Sequence, residues 1–251
     1  MSKKIDKEML KNPDVFVSTS DKIFEFIERH FVSFISLAGV VVVAALVYVG
    51  YNYFNASREA SAAAALYPAE EQLRKVEEDA QTKKAAVKDK PAVAEDYAKD
   101  YAPLVEKVKT QIQAYAERKA SLISALNLAD FLLQQKQYGE ALAVLSLAKY
   151  QPSIDEDLFG FLMMHRGVAL LENNQTAPAI EAYQKVLNAP KLKVFYPEAL
   201  LKLGLSYEQS GDTAKARETY ERIGRDFPET DASATAQQYI RLLELKSEKR
   251  G

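Results

Sequence analysis

The sequence has no cysteine, no tryptophan and only two histidines, and among 251 residues it has only nine glycines and nine prolines. Without cysteine there is no disulfide, no thiolate nucleophile and no Cys-ligated metal, so the fold does not depend on the redox state of its compartment. The scarcity of glycine and proline, beside abundant Ala, Leu, Lys, Glu and Gln, argues against a turn-rich sheet protein and predicts an all-α chain. Neither sign of charge dominates: 33 Lys and Arg face 35 Asp and Glu. No overall field draws the chain to nucleic acid, and no nucleic-acid partner is expected.

Charge is missing altogether between residues 31 and 57. The apolar part, residues 31–54, would be about 36 Å long as a helix, against a hydrocarbon core of about 30 Å. Tyr48, Tyr51 and Tyr53 crowd one end, where amphipathic rings favour the headgroup region, and Arg29 and His30 close the other. A buried core helix is rarely this long without a polar face. A single transmembrane helix is therefore expected. Ala60-Ser61-Ala62 resembles a signal-peptide cleavage site, but the apolar run exceeds the roughly 7–15 residues of a signal peptide and follows a long tail. An uncleaved anchor fits better. Lys3, Lys4, Lys7, Lys11, Lys22 and Arg29 precede the span, and Arg58, Arg74, Lys75, Lys83 and Lys84 follow it, so charge asymmetry is slight. Because short tails usually stay inside, residues 1–30 are expected in the cytoplasm and the remainder in the periplasm. No small residues four apart lie between Phe31 and Gly50, so no tight helix-dimer motif is present.

Residues 55–119 read as a helical connector. Leu66, Ala69, Leu73, Val76 and Ala80 form a heptad-like stripe beside Glu70, Glu71, Arg74, Lys75, Glu77 and Glu78. Lys88-Asp89-Lys90-Pro91 reads as a turn, and the lysines of 83–90 as its solvated end. Tyr97, Tyr101, Leu104, Val108, Ile112 and Tyr115 then mark a second amphipathic helix, with Pro103 suited to its first turn. Two heptads are too few to establish an intermolecular coiled coil, so a hairpin packed on the chain's own helices is expected.

Self-similarity begins after residue 120. The run Tyr196-Pro197-Glu198-Ala199-Leu200-Leu201-Lys202-Leu203-Gly204-Leu205-Ser206-Tyr207 leads through Gly211-Asp212 to Ala216, Tyr220 and Pro228. This resembles a tetratricopeptide repeat almost position for position, departing only at Ile223, where alanine is usual. Small residues at 204 and 216 let helix axes approach, and aromatic residues fill the wider gaps. An earlier copy has Met163, Gly167, Leu170, Ala179, Tyr183 and Pro190, with Arg166 in place of the expected leucine. A weaker one has Leu128, Ala129, Leu132, Ala141, Leu145 and Pro152. Ala141, Ala179 and Ala216 are 38 and 37 residues apart, longer than the usual repeat of about 34. The extra residues are assigned to the connections near 151–156 and 189–195. Three repeats over 120–228 are expected, closed by a capping helix within 229–251 that Thr230-Asp231 begins and whose outer face carries Arg241, Glu244 and Lys246.

Little here suits catalysis. His30 lies at the membrane edge, and His165 has no Cys or His at metal-ligand spacing. There is no phosphate loop, nucleophile elbow or metalloprotease helix. Asp155-Glu156-Asp157 lacks the alternating oxygens of a calcium loop and reads as a helix start. No enzyme, catalytic residue, metal, cofactor or small-molecule substrate is expected.

In repeats of this type the first helix of each pair lines a concave groove. The candidate protein-binding residues are Ile123, Leu126, Asp130, Leu133, Phe161, Met164, Val168, Leu171, Glu172, Glu198, Leu201, Leu205 and Glu208. Repeat domains that clamp the acidic C-terminus of a chaperone carry Lys and Asn at two of these positions. Here Leu126, Met164 and Leu201 occupy one and Asp130, Val168 and Leu205 the other, so that ligand is excluded. An apolar groove rimmed by acid suits an amphipathic helix, with Met164 adding adaptability. Since such a groove left open is an aggregation liability, self-filling by the chain's own 92–118 helix is the favoured arrangement. The open groove is the alternative.

The order of tail, anchor, Ala/Lys/Glu-rich helical connector and repeats resembles the YfgM-like family, ancillary subunits of the bacterial SecYEG translocon. That resemblance implies a single-pass inner-membrane protein facing the periplasm, whose partners are translocon subunits, periplasmic chaperones and exported clients. The last repeat is also similar to those of the cell-division coordinator CpoB and of outer-membrane assembly lipoproteins. A scaffold for another envelope assembly, in division or outer-membrane biogenesis, is therefore the alternative function; an enzyme with an unrecognised site is a remote third.

Overall fold

The computed structural model describes residues 14–86, 101–150 and 155–248. The expected turn at 88–91, Tyr97, Pro152 and the second half of the lysine patch, with Lys88 and Lys90, lie outside them. The described residues are helical, with no strand among them, and the chain divides into two units, residues 1–58 and 59–251.

Helix α1 (Asp14–Ala86) contributes to both units. Its stretch from Phe24 onward is long and apolar enough to cross a membrane, and none of the residues in its most apolar window is buried by other parts of the protein. Within it residues 31–57 carry no charge that would favour water, and their side chains are exposed rather than packed in a protein core. Ser36, one of its few hydroxyls, donates back to the Val32 carbonyl at 2.7 Å, which satisfies a group that hydrocarbon would leave without a partner. Arg58 lies over the Phe54 ring, 5.6 Å from its centroid. The helix is already formed at Asp14, so part of the expected tail is helical.

In the second unit, α1 residues Leu66, Ala69 and Leu73 are buried against Val105, Val108 and Ile112 of α2 (Ala102–Ala114) and Leu122, Ala125 and Leu128 of α3 (Lys119–Gln134). Pro103 lies in the first turn of α2. Polar bonds pin the pair: Gln111 donates to the Ala65 carbonyl at 3.1 Å, and Ser121 to that of Ile112 at 2.9 Å. The hairpin shares one apolar core with the first repeat, so it is the first layer of the stack rather than a tether.

Three helix pairs follow: α3 with α4 (Tyr138–Leu147), α5 (Glu156–Glu172) with α6 (Thr176–Leu187), and α7 (Tyr196–Gln209) with α8 (Thr213–Asp226). The same joint recurs in each. Lys136, Asn174 and Gly211 have φ of 58°, 59° and 86°. The next N–H in each returns to a carbonyl five residues back: Gln137 to Leu132 at 2.8 Å, Gln175 to Leu170 at 2.8 Å, and Asp212 to Tyr207 at 2.9 Å. These left-handed closures satisfy the last carbonyls of each first helix. The packing is equally regular. Ala141, Ala179 and Ala216 are fully buried. A Cβ on Gly167 would come within 3 Å of the Tyr183 ring, and one on Gly204 within 3 Å of the Tyr220 ring. Those aromatic rings lie directly on helix backbone.

Between the second and third pairs, residues Pro190–Phe195 form a 3-10 helix. The residues beyond the usual repeat length therefore pack: Leu192 is buried, and the Phe195 ring lies against Gly160 and edge-on to Phe161 at 5.0 Å. Helix α9 (Asp231–Glu248) covers the end of the stack. Thr230 accepts from the Ser233 N–H at 3.3 Å, and Tyr239 stacks on Tyr220 at 5.4 Å. Ile223 shares its cluster with Ala232 and Ala236. The bulk that departs from the repeat pattern is met by small residues on the cap. Glu244 pairs with Arg217, and Lys246 lies 3.4 Å from Glu208. The outer face is not wholly charged, since Leu242 and Leu245 are about half exposed.

Candidate functional site

The first helices α3, α5 and α7 are brought side by side by the repeated joints, and an open cleft of about 390 Å³ lies across them. Helix α3 supplies Asp130, Leu133 and Gln134; α5 supplies Met164, His165, Val168 and Glu172; α7 supplies Glu198 and Lys202. Tyr138, from the start of α4, completes the lining. Helical spacing explains the selection. Met164, Val168 and Glu172 recur every four residues, with His165 beside them three before Val168, while Met163, Gly167 and Leu171, one position earlier in each turn, are buried.

Six of the candidate residues thus meet in one cleft: Asp130, Leu133, Met164, Val168, Glu172 and Glu198. The others do not line it. Leu126, Leu171 and Leu201 are buried in the three apolar clusters of the stack. Ile123 is exposed, and Phe161 is occupied by Phe195. Leu205 packs against the cluster around Tyr183. Glu208 accepts the Tyr220 hydroxyl at 2.8 Å and serves the cap. Gln134, Tyr138, His165 and Lys202 were not among the candidates. Three of them each follow a candidate by one position, a step of about 100° around the helix. Tyr138 comes from a second helix, to which periodicity along a first helix gives no clue.

The 92–118 segment does not fill this cleft as far as it is described. Val105, Val108 and Ile112 of α2 are buried with α1 and α3, and no residue of α2 lines the cleft. Its apolar stripe is consumed by the hairpin core.

The cleft has an apolar floor and an acidic wall. Glu198 is 3.4 Å from Lys202. Asp130 has neither a hydrogen bond nor an ion pair among the described residues. Tyr138 is held above the usual phenol range by loss of water, then by the charge of Glu172 and a hydrogen bond to it. His165 Nδ1 lies 2.8 Å from the Phe161 carbonyl; a carbonyl only accepts, so Nδ1 carries a proton. The Tyr183 hydroxyl, in contact with Gly167 through its ring, is buried and has no partner. Burial raises its pKa, and the carboxylates of Glu198 and Glu172 raise it further.

A second recess, lined by Tyr150, Asp155, Glu156 and Asp157, is built from a helix start. Asp155 caps α5 by accepting from the Leu158 N–H at 3.3 Å and pairs with Lys119, while Glu156 pairs with Lys191. Those carboxylates already have cationic or backbone partners. No group of three or more His, Asp or Glu side chains suited to a metal ion occurs among the described residues.

No curated protein matches the sequence. The tetratricopeptide repeat family model matches residues 162–191 and 198–230, which take in most of the second and third helix pairs and the first residues after each. Helices α3 and α4 have the same left-handed joint and buried alanine without being matched. The chain carries tetratricopeptide repeats in an all-α solenoid, a fold that typically serves as a non-enzymatic scaffold for protein–protein interaction.

Proposed function

We propose that this protein is a membrane-anchored adaptor that holds a segment of a partner protein in the cleft across α3, α5 and α7. The observation that carries this reading is the cleft itself: concave, apolar at its floor and lined from three successive repeats. The exposed apolar stretch of α1 supports a single membrane span ahead of the repeats. With the amino terminus in the cytoplasm, the repeats face the periplasm of a bacterial inner membrane. The order of anchor, helical connector and repeats supports a place beside the Sec translocon, handing newly exported proteins to chaperones.

The test is mild detergent extraction of the native membrane complex after crosslinking, followed by identification of the neighbours. Translocon subunits together with periplasmic chaperones are the expected result. Recovery of division or outer-membrane assembly proteins instead would replace this placement with another, while a reporter at the carboxyl terminus that is active only in the cytoplasm would overturn the orientation.

A further inference from the structure

We propose that the cleft selects its partner by a basic side chain, arginine or lysine, presented from an otherwise apolar helical segment. This rests on reading the cleft as the protein-binding surface and names the chemistry it reads.

The lining divides the work. Leu133, Met164 and Val168 offer apolar surface to an aliphatic stem, and Asp130 and Glu172 offer carboxylates to a cationic head. The third carboxylate in the cleft, Glu198, is balanced by its own Lys202 at 3.4 Å. Asp130 has no such partner among the described residues, and a neutral phenol cannot cancel the charge of Glu172. The cleft therefore holds uncompensated negative charge over an apolar floor. An acidic segment would meet repulsion there, and a purely apolar one would leave both carboxylates partly stripped of water without a counter-charge.

Of the three carboxylates in the cleft, Glu198 has the Lys202 ammonium beside it, whereas Asp130 and Glu172 have no cation among the described residues. A guanidinium brings five donors and no acceptor, and an ammonium three. A bound metal is a poorer match, because the carboxylates do not form a ligand cluster.

The experiment uses the full chain in nanodiscs of zwitterionic phosphatidylcholine and three fluorescent helical peptides. These share one leucine stripe and differ only in carrying arginine, glutamine or glutamate beside it. Anisotropy is expected to show the arginine peptide binding about tenfold tighter than the glutamine one, or about 1.4 kcal/mol, and the glutamate peptide weakest. Added salt should erode the difference. Asp130→Asn with Glu172→Gln should bring the arginine peptide to the level of the glutamine peptide. Asp130→Asn alone should remove part of the preference without touching a side chain that another residue depends on.

Equal binding of the arginine and glutamine peptides would overturn the basic selection while leaving the cleft a binding surface. Preference for glutamate, or an arginine preference that survives the double substitution, would overturn it as well. Failure of all three peptides to bind would overturn both this inference and the cleft as the docking surface.

Discussion

Tyr183→Phe removes a hydroxyl that is buried without a partner, while Tyr220→Phe removes its equivalent in the next repeat, which donates to Glu208 at 2.8 Å. The two rings occupy the same place, each against the glycine of its own first helix. An unsatisfied buried polar group costs roughly 1–3 kcal/mol, so deleting it is expected to stabilise by about 1 kcal/mol once the small lost contact volume is deducted. A hydrogen bond to a charged acceptor contributes roughly 1.5–3 kcal/mol. Glu208 retains 18 % side-chain exposure and has Lys246 nearby, so solvent screening reduces the loss in Tyr220→Phe to about 1 kcal/mol. The variants should therefore differ by about 2 kcal/mol, or about 4–8 °C in Tm for a unit of this size. Thermal and urea unfolding of the full chain in detergent micelles, followed by far-UV circular dichroism at neutral pH, measures the gap. The pH dependence has a definite sign. Burial raises the Tyr183 pKa above its unfolded value of about 10. Its contribution is fully present below that value and is lost as pH rises toward the folded one. Tyr183→Phe should be less sensitive to alkali than the parent. Loss of stability in Tyr183→Phe as large as in Tyr220→Phe would refute the reasoning, because it would mean the hydroxyl has a partner.

Gly167→Ala and Gly204→Ala should each cost about 2–3 kcal/mol in urea unfolding, since the new methyl would meet a buried tyrosine ring. Gly139→Ala, with nothing near its Cβ, should instead stabilise by up to about 1 kcal/mol. Lys136→Gly should stabilise by about 0.5–1 kcal/mol by relieving a left-handed backbone that a lysine disfavours, read as a higher Tm. The Asp212 carboxyl is held below its usual range by the side chain of Lys215, then by that residue's backbone N–H. Its contribution is complete above an unfolded pKa of about 3.9 and is lost as pH falls through the folded value. Asp212→Asn should flatten the acid limb of stability against pH, with little change in its alkaline limb.

Much of the fold is legible as local pattern. Gly204 and Tyr220, sixteen positions apart, predict a ring against a helix axis, and the same pair recurs at Gly167 and Tyr183. The uncharged run at 31–57 and the stripe of Leu66, Ala69 and Leu73 likewise declare themselves by composition and period. Other features carry no such signature. A lysine at 136 hides the left-handed joint of the first pair, since only glycine or asparagine advertises that conformation. The 3-10 helix at Pro190–Phe195 reads as surplus loop until Phe195 is placed on Gly160. In the groove, a one-residue step decides whether a leucine faces solvent or core. Leu201 therefore joins the cap cluster and Lys202 reaches the cleft.

Helicity, the place of the apolar stretch and the residues that recur in each repeat can be read along the chain, because each depends on neighbours within a turn or two of one helix. That the hairpin is the first layer of the stack, that α2 leaves the cleft uncovered and that Tyr138 faces Glu172 emerge once the helices are packed. Those outcomes depend on how successive pairs rotate against one another, a quantity that the rigid packing of many side chains settles together and that no local period encodes.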